Sequence, residues 1–232
     1  MRLDDVRPDG LARLDGIARW LQDVAADDVR SAPAAARYQW VVRRTLVEVR
    51  RRPRYDEMVE LTTWCSGLGA AWAERRTIVE GAGGGRVEAA SLWVSLDPDT
   101  ERPVPLGEEF VALYGPSAAG RTVRSRLSHP RSAPSDAQRR EWALRGSDFD
   151  LLGHVNNAVA WELAEEETTL RAGAAEVSTA SVEYRAPVAG SARTLTVASA
   201  LDGDVLRLWA ADGPATAFSA EVAFSAEVAS RA

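Results

Sequence analysis

The run Ser147-Asp148-Phe149-Asp150-Leu151-Leu152-Gly153-His154-Val155-Asn156-Asn157 concentrates carboxylates, an imidazole and carboxamides in one short stretch. His154 follows Asp150 by four residues, and the only other histidine is His129. Asp150 can serve as general base while His154 orients a water or a carbonyl, and such groups contribute on the order of a hundred- to ten-thousand-fold. The asparagines stand where a helix should begin, and the first turn of a helix offers unpaired N–H groups and a partial charge of about +0.5. Those donors polarise an acyl carbonyl and stabilise the oxyanion formed when water attacks, each worth about 2.7 to 4 kcal/mol in acyl-transfer enzymes. A plainer use exists for the same residues: Asn156 or Asn157 caps the helix, and Asp148 or Asp150 favours its dipole. Gly153 adds room for close approach of a substrate.

One architecture used twice must position this run. In the first half Leu11, Leu14, Ile17, Leu21, Val24 and Ala25 recur at helical steps. Strands are expected at 38–52, 57–64, 70–80 and 86–96, with a hairpin turn at 81–85. The stretch 115–136 is filled with Gly, Pro, Ser and Arg and reads as a linker, His129 lying within it. A short strand near 141–145, a helix over about 156–171 and strands at 177–186, 193–201, 205–211 and 216–228 follow. AFSAEV occurs twice in succession in the last strand, and its even length puts Phe218, Val222, Phe224 and Val228 on one face. A helix laid across an antiparallel sheet is a two-layer α+β solution. The expected organisation is therefore a first domain at 1–114, a linker at 115–136 and a second domain at 137–232.

Composition narrows the function. Hydrophobic residues at 46% and charged residues at 27% match folded domains, so a real core is expected. A net charge of −6 opposes general nucleic-acid binding. The charges at Arg2, Asp4, Asp5, Arg7, Asp9, Arg13 and Asp15 leave no signal peptide or membrane helix in the first thirty residues, which makes the cytoplasm the expected compartment. Cys65, the single cysteine, forms no internal disulfide, reads as a buried small hydrophobe, and leaves no thiolate zinc site. Chemistry without cofactor or metal is expected.

The motif run resembles the signature Asp-x-Asn-x-His-Val-Asn-Asn of the hotdog acyl-acyl carrier protein (acyl-ACP) thioesterases. Trp40-Val41-Val42-Arg43-Arg44, Thr62-Thr63-Trp64, and Ala90-Ser91-Leu92-Trp93-Val94 with Asp97, Thr100 and Arg102-Pro103 are similar to that family's first hotdog, and Ser181-Val182-Glu183-Tyr184-Arg185 to its Glu-Tyr-Arg strand. The resemblance implies two tandem hotdog folds, each a long helix wrapped by an antiparallel sheet, and hydrolysis of a fatty acyl thioester. It implies a catalytic group of Asp150, His154 and Glu183, with Val155, Asn156 and Asn157 at the substrate, and acyl carrier protein or coenzyme A as the thiol carrier. From strand parity alone Glu183 shares a face with Ser181 and Arg185 and serves equally as a solvated, ion-pairing carboxylate.

The chain departs from the family pattern at Leu152, where asparagine is expected, and at Val188, where plant enzymes have a cysteine. Leucine cannot hold a water. Either Glu183 and His154 suffice, or the pattern is closer to Asp-x-x-Gly-His-Val-Asn-Asn of single-hotdog acyl-coenzyme A thioesterases, or the protein binds acyl groups without turnover. A hotdog hydratase would need aspartate five residues before the histidine, where Phe149 stands. Trp20, Leu21, Trp64, Trp72 and Trp93 suggest an apolar tunnel between the first helix and its sheet, beside the plainer reading of ordinary core aromatics. Arg51, Arg52 and Arg54 suggest a docking surface for an acidic carrier. Two hotdogs in one chain make a monomer sufficient and leave a homodimer open.

Overall fold

The structure is a computed structural model that describes residues 1–173 and 175–225. The chain divides into two compact units, Met1–Ala12 with Arg19–Leu127, and Arg13–Ala18 with the chain from Ser128 onward.

In the first unit lie most of helix α1 (Leu14–Ser31), the single turn α2 (Pro33–Ala36), strands β1 (Gln39–Arg51), β2 (Val59–Leu68), β3 (Trp72–Gly81) and β4 (Arg86–Leu96), and helix α3 (Glu108–Ala118). The strands pair antiparallel in the order β2-β3-β4-β1. Alternation is clear in β1, where Thr45, Val47 and Val49 are buried and Leu46 and Arg50 exposed. One face carries the helices: Arg75 pairs with Asp28 of α1, the Tyr114 hydroxyl of α3 donates to the same carboxylate at 2.9 Å, and Ser117 donates to the Cys65 carbonyl at 2.9 Å. Cys65 is buried with Ala35, Ala73, Phe110, Tyr114 and Ala118, which pushes its thiol pKa up and accords with its expected role as a small hydrophobe.

Three expectations for this unit need correction. The stretch from residue 115 begins inside α3, whose last turn holds Pro116 and whose cap Ala119 sits at φ +49°. Gly-Pro-Ser reads as a breaker, and α3 does end two residues after Pro116. The five tunnel residues do not face one space. Trp64 pairs with Arg76 across β2 and β3, which places it with Trp72 on the face opposite Arg75, whereas Trp93 pairs with Ala73 on the helix face. Trp64 instead lines an open cavity of about 200 Å³ with Leu46, Arg76, Ile78 and Ala90, and Trp72 donates to the Val123 carbonyl at 2.9 Å. Arg52 is also no docking residue, being 4% exposed and bonded to the Ala12 carbonyl at 2.8 Å.

The second unit contains β5 (Gln138–Ala143), helix α4 (Asn157–Ala172), β6 (Val177–Tyr184), β7 (Thr194–Asp202), β8 (Val205–Asp212) and β9 (Ala215–Phe224), with antiparallel order β6-β9-β8-β7-β5. α4 packs on β7, β8 and β9. Ala160, Trp161, Leu163 and Ala164 of the helix and Val182, Leu195, Val197, Leu206, Leu208, Ala210 and Val222 of the sheet are almost fully buried. Burying one such side chain contributes roughly 1.5–3 kcal/mol, which fixes how α4 lies and hence where its N-terminus points. Phe218, Val222 and Phe224 are buried as the β9 pattern requires, while Val228 lies outside the described residues.

Candidate active site

A tight loop carries the motif from β5 into α4. It opens with a 3-10 turn, Gly146–Asp148, in which Asp148 is 3% exposed and accepts from the Arg145 amide at 2.8 Å and its guanidinium at 3.0 Å. The Asp148 carbonyl then accepts the Asn156 amide at 2.8 Å, closing the loop at its base. Phe149 bridges Val155, the Asp150 amide donates to the His154 carbonyl at 2.8 Å, and the Gly153 amide returns to the Asp150 carbonyl at 3.0 Å. Gly153 has φ +72°, a conformation that costs an ordinary residue about 1 kcal/mol or more.

Asp150 is the internal clamp of this turn, one oxygen accepting the amides of Leu152 at 2.9 Å and His154 at 3.2 Å. Its other oxygen and the His154 imidazole make no hydrogen bond to protein among the described residues, and both side chains are half-buried. Asp150 and His154 are thus brought together with groups available to a ligand. Leu152 points to solvent, 52% exposed.

The helix start is more fully used than its sequence suggests. Asn156 is the N-cap, its side chain accepting the Ala158 amide at 2.8 Å and its carbonyl the Val159 amide at 3.0 Å. Its carboxamide oxygen is therefore engaged by the helix. The Val155 amide goes to the Val188 carbonyl at 3.0 Å. Among the described residues the Asn157 amide is the one N–H from His154 to Val159 that meets no protein acceptor. One backbone donor at the positive end of α4 is left for an incoming oxygen.

Glu183 does not join this group, which corrects the expectation drawn from the resemblance. The neighbouring Tyr184 faces α4, its hydroxyl donating to the Asn157 carbonyl and accepting from the Trp161 indole, both at 3.0 Å. Alternation turns Glu183 to the opposite face, where it is 0% exposed. Its carboxylate accepts the Ser128 amide at 2.6 Å, the Ser128 hydroxyl at 3.1 Å, the His129 amide at 3.2 Å and the Arg185 guanidinium at 2.9 Å. It is ion-paired, as parity allowed, but not solvated. His129, expected in a loose linker, is buried against the same face, its ring nitrogens 3.2 Å from Ser219 and 2.8 Å from Ser181. Across from the motif runs Ala186-Pro187-Val188-Ala189-Gly190, where Ala189 bridges His154 and no side chain is ionisable. The Arg145–Asp148 tie and the Tyr184 anchor were missed from sequence. An acid three residues after a base just before the motif was the signal for the first.

No group of residues able to hold a metal occurs among the described residues, and no described helix is long and apolar enough to cross a membrane.

Comparison with known proteins follows this geometry. The acyl-ACP thioesterase N-terminal domain matches residues 1–114, and the acyl-ACP thioesterase C-terminal domain matches 131–205. An uncharacterized protein of Mycobacterium tuberculosis is 29% identical over 199 residues, 84% of this chain and 78% of that protein. A chloroplastic acyl-[acyl-carrier-protein] hydrolase of Cuphea viscosissima is 29% identical over 137 residues, 56% of this chain but 33% of that longer protein. In fold the chain is similar to an acyl-ACP thioesterase from Bacteroides thetaiotaomicron, with TM-score 0.82 and 17% identity over 97% of this chain and 94% of that one. It is likewise similar to the 12:0-ACP thioesterase from Umbellularia californica, with TM-score 0.79 and 22% identity over the same shares. With both domains of one family matched in order along it, the chain belongs to the acyl-ACP thioesterase family.

Proposed function

We propose that this protein hydrolyses fatty acyl-ACP to free fatty acid and ACP by direct attack of water on the thioester, with Asp150 and His154 as the catalytic residues. The observation that carries this is the Asp150 carboxylate, held at one oxygen by two amides and open at the other, beside His154 at the start of α4. As the water oxygen bonds to the carbonyl carbon, the open Asp150 oxygen takes a water proton, and the carbonyl π pair moves onto oxygen. That oxyanion is received by the Asn157 amide and the His154 imidazole. Re-forming the C=O bond breaks the C–S bond, and the thiolate leaves with the proton held by Asp150. Val155 and Asn157 flank the bound thioester, Asn156 acts through the cap, and Glu183 serves the fold by holding Ser128 and His129 against β6.

The finer architecture proposed with this function is a pair of tandem hotdog folds, the first holding the acyl chain and the second doing the chemistry, acting in the cytoplasm. Leu152 favours a second reading, a protein that binds acyl groups without turning them over, because a leucine cannot hold the attacking water. Free-thiol release from a panel of acyl-ACP and acyl-coenzyme A thioesters, for wild type and Asp150→Asn, decides between them. The asparagine keeps an oxygen for the Leu152 and His154 amides while removing the base, so kcat should fall about a hundred- to ten-thousand-fold with the melting temperature unchanged. Acyl ligands that bind with no thiol released from any substrate would leave the binding-protein reading.

A further inference from the structure

The motif loop presents two adjacent leucines to solvent, Leu151 at 96% and Leu152 at 52% exposure. They are not on a floppy tip. The turn beneath them is closed by the bonds between Asp150, Gly153 and His154, and by both amides received at the Asp150 carboxylate. Gly190 packs so closely that a Cβ there would stand 2.9 Å from the Gly153 carbonyl oxygen. An apolar pair on a fastened turn has already lost the freedom that an anchor must otherwise surrender on binding.

A cation stands beside this turn. Arg193 is exposed, and one guanidinium nitrogen donates to the carbonyls of Gly190 at 3.2 Å, Ser191 at 3.4 Å and Ala192 at 3.2 Å, so the side chain folds back over the loop that packs on Gly153. Among the described residues Arg193 has no carboxylate partner. Nearby Arg145 differs, being spent on Asp148 and Glu162.

We propose that Leu151 and Arg193 form the docking edge for an acidic carrier protein, the leucine seating in an apolar depression of the partner while Arg193 pairs with one of its surface carboxylates. This rests on the acyl-ACP reading above and assigns the carrier a surface within the second unit, at the rim of the proposed site. Of the earlier candidate cluster, Arg52 is buried and only Arg51 and Arg54 remain exposed, in the first unit. An unpaired guanidinium keeps its full attraction for an incoming acid, and such rim charges govern association rate and salt dependence.

The test compares one acyl group carried on ACP, on coenzyme A and on pantetheine, for wild type, Leu151→Asp and Arg193→Glu. Docking predicts that KM for acyl-ACP rises about tenfold or more in both variants, roughly the loss of 1.4 kcal/mol. Hydrolysis of acyl-pantetheine and acyl-coenzyme A should stay within about twofold, and Arg193→Glu should flatten the salt dependence of kcat/KM on acyl-ACP. Equal losses on all three carriers would overturn the proposal, as would unchanged acyl-ACP kinetics. A loss shared by acyl-ACP and acyl-coenzyme A but absent with pantetheine would also overturn it, making Arg193 a phosphate contact. Calorimetric binding of holo-ACP to the same proteins reads docking without turnover, so an absence of hydrolysis would count against the hydrolase reading alone.

Discussion

At the scale of single residues, the two carboxylates of the expected catalytic group have separated roles. Asp150 keeps one oxygen available, whereas Glu183 is taken up by Ser128 and His129 of the segment that crosses behind β6 and by Arg185 at the end of its own strand. Glu183→Gln replaces one acceptor oxygen with a donor that must face either the Ser128 groups or the His129 amide and Arg185. We predict a loss of about 2–4 kcal/mol, measured by urea unfolding, because a buried charged group would lose its matched donors. The folded fraction should keep kcat within about threefold. A fall of two orders of magnitude with unchanged stability would return Glu183 to the chemistry.

At the scale of elements, the start of α4 is held from both directions. Asn156 caps it from the loop, and Tyr184 of β6 fastens the Asn157 carbonyl from below. Burial raises the Tyr184 pKa, so its hydroxyl stays protonated and donates throughout the working range. Tyr184→Phe would remove this tie and strip the Trp161 indole of its acceptor, at about 1–3 kcal/mol. Hydrogen exchange of the amides from Asn157 to Trp161 should accelerate ahead of the rest of the second unit. Exchange that changed uniformly would mean that the tyrosine stabilises the sheet and not the helix start.

At the scale of the whole molecule, stability should depend on pH through His129. Burial is the main cause of its lowered pKa, opposed by Glu183 and Glu221 and assisted by Arg185, with the hydroxyls of Ser181 and Ser219 at its ring. The unfolded chain therefore takes up the proton more readily than the folded one. The neutral histidine's contribution is complete above the unfolded value of 6.5 and is lost as pH falls below it toward the lower folded value. We expect the melting temperature to decline on acidification from about pH 7 to 5, and His129→Gln to show a shallower decline over that window. Parallel curves for the two proteins would place the acid sensitivity elsewhere.

The α+β class, the doubled order of helix and strands, and the grouping of Asp150 with His154 were legible because each rests on short-range pattern. Alternation, helical spacing and a motif confined to one loop are properties of neighbours in the chain. Even the N-cap role of Asn156 was available as the plainer of two readings. Only tertiary structure decided which donors remain free, because most amides of the loop are claimed within it once it folds and the Val155 amide is claimed by Val188, distant in sequence. Parity placed Glu183 beside Ser181 and Arg185 but could not say what covers that face, and the answer, Ser128 and His129, comes from a stretch that reads as linker. The tunnel failed for the same reason: Trp64, Trp72 and Trp93 are alike in type, and strand register alone assigns them to different sides of one sheet.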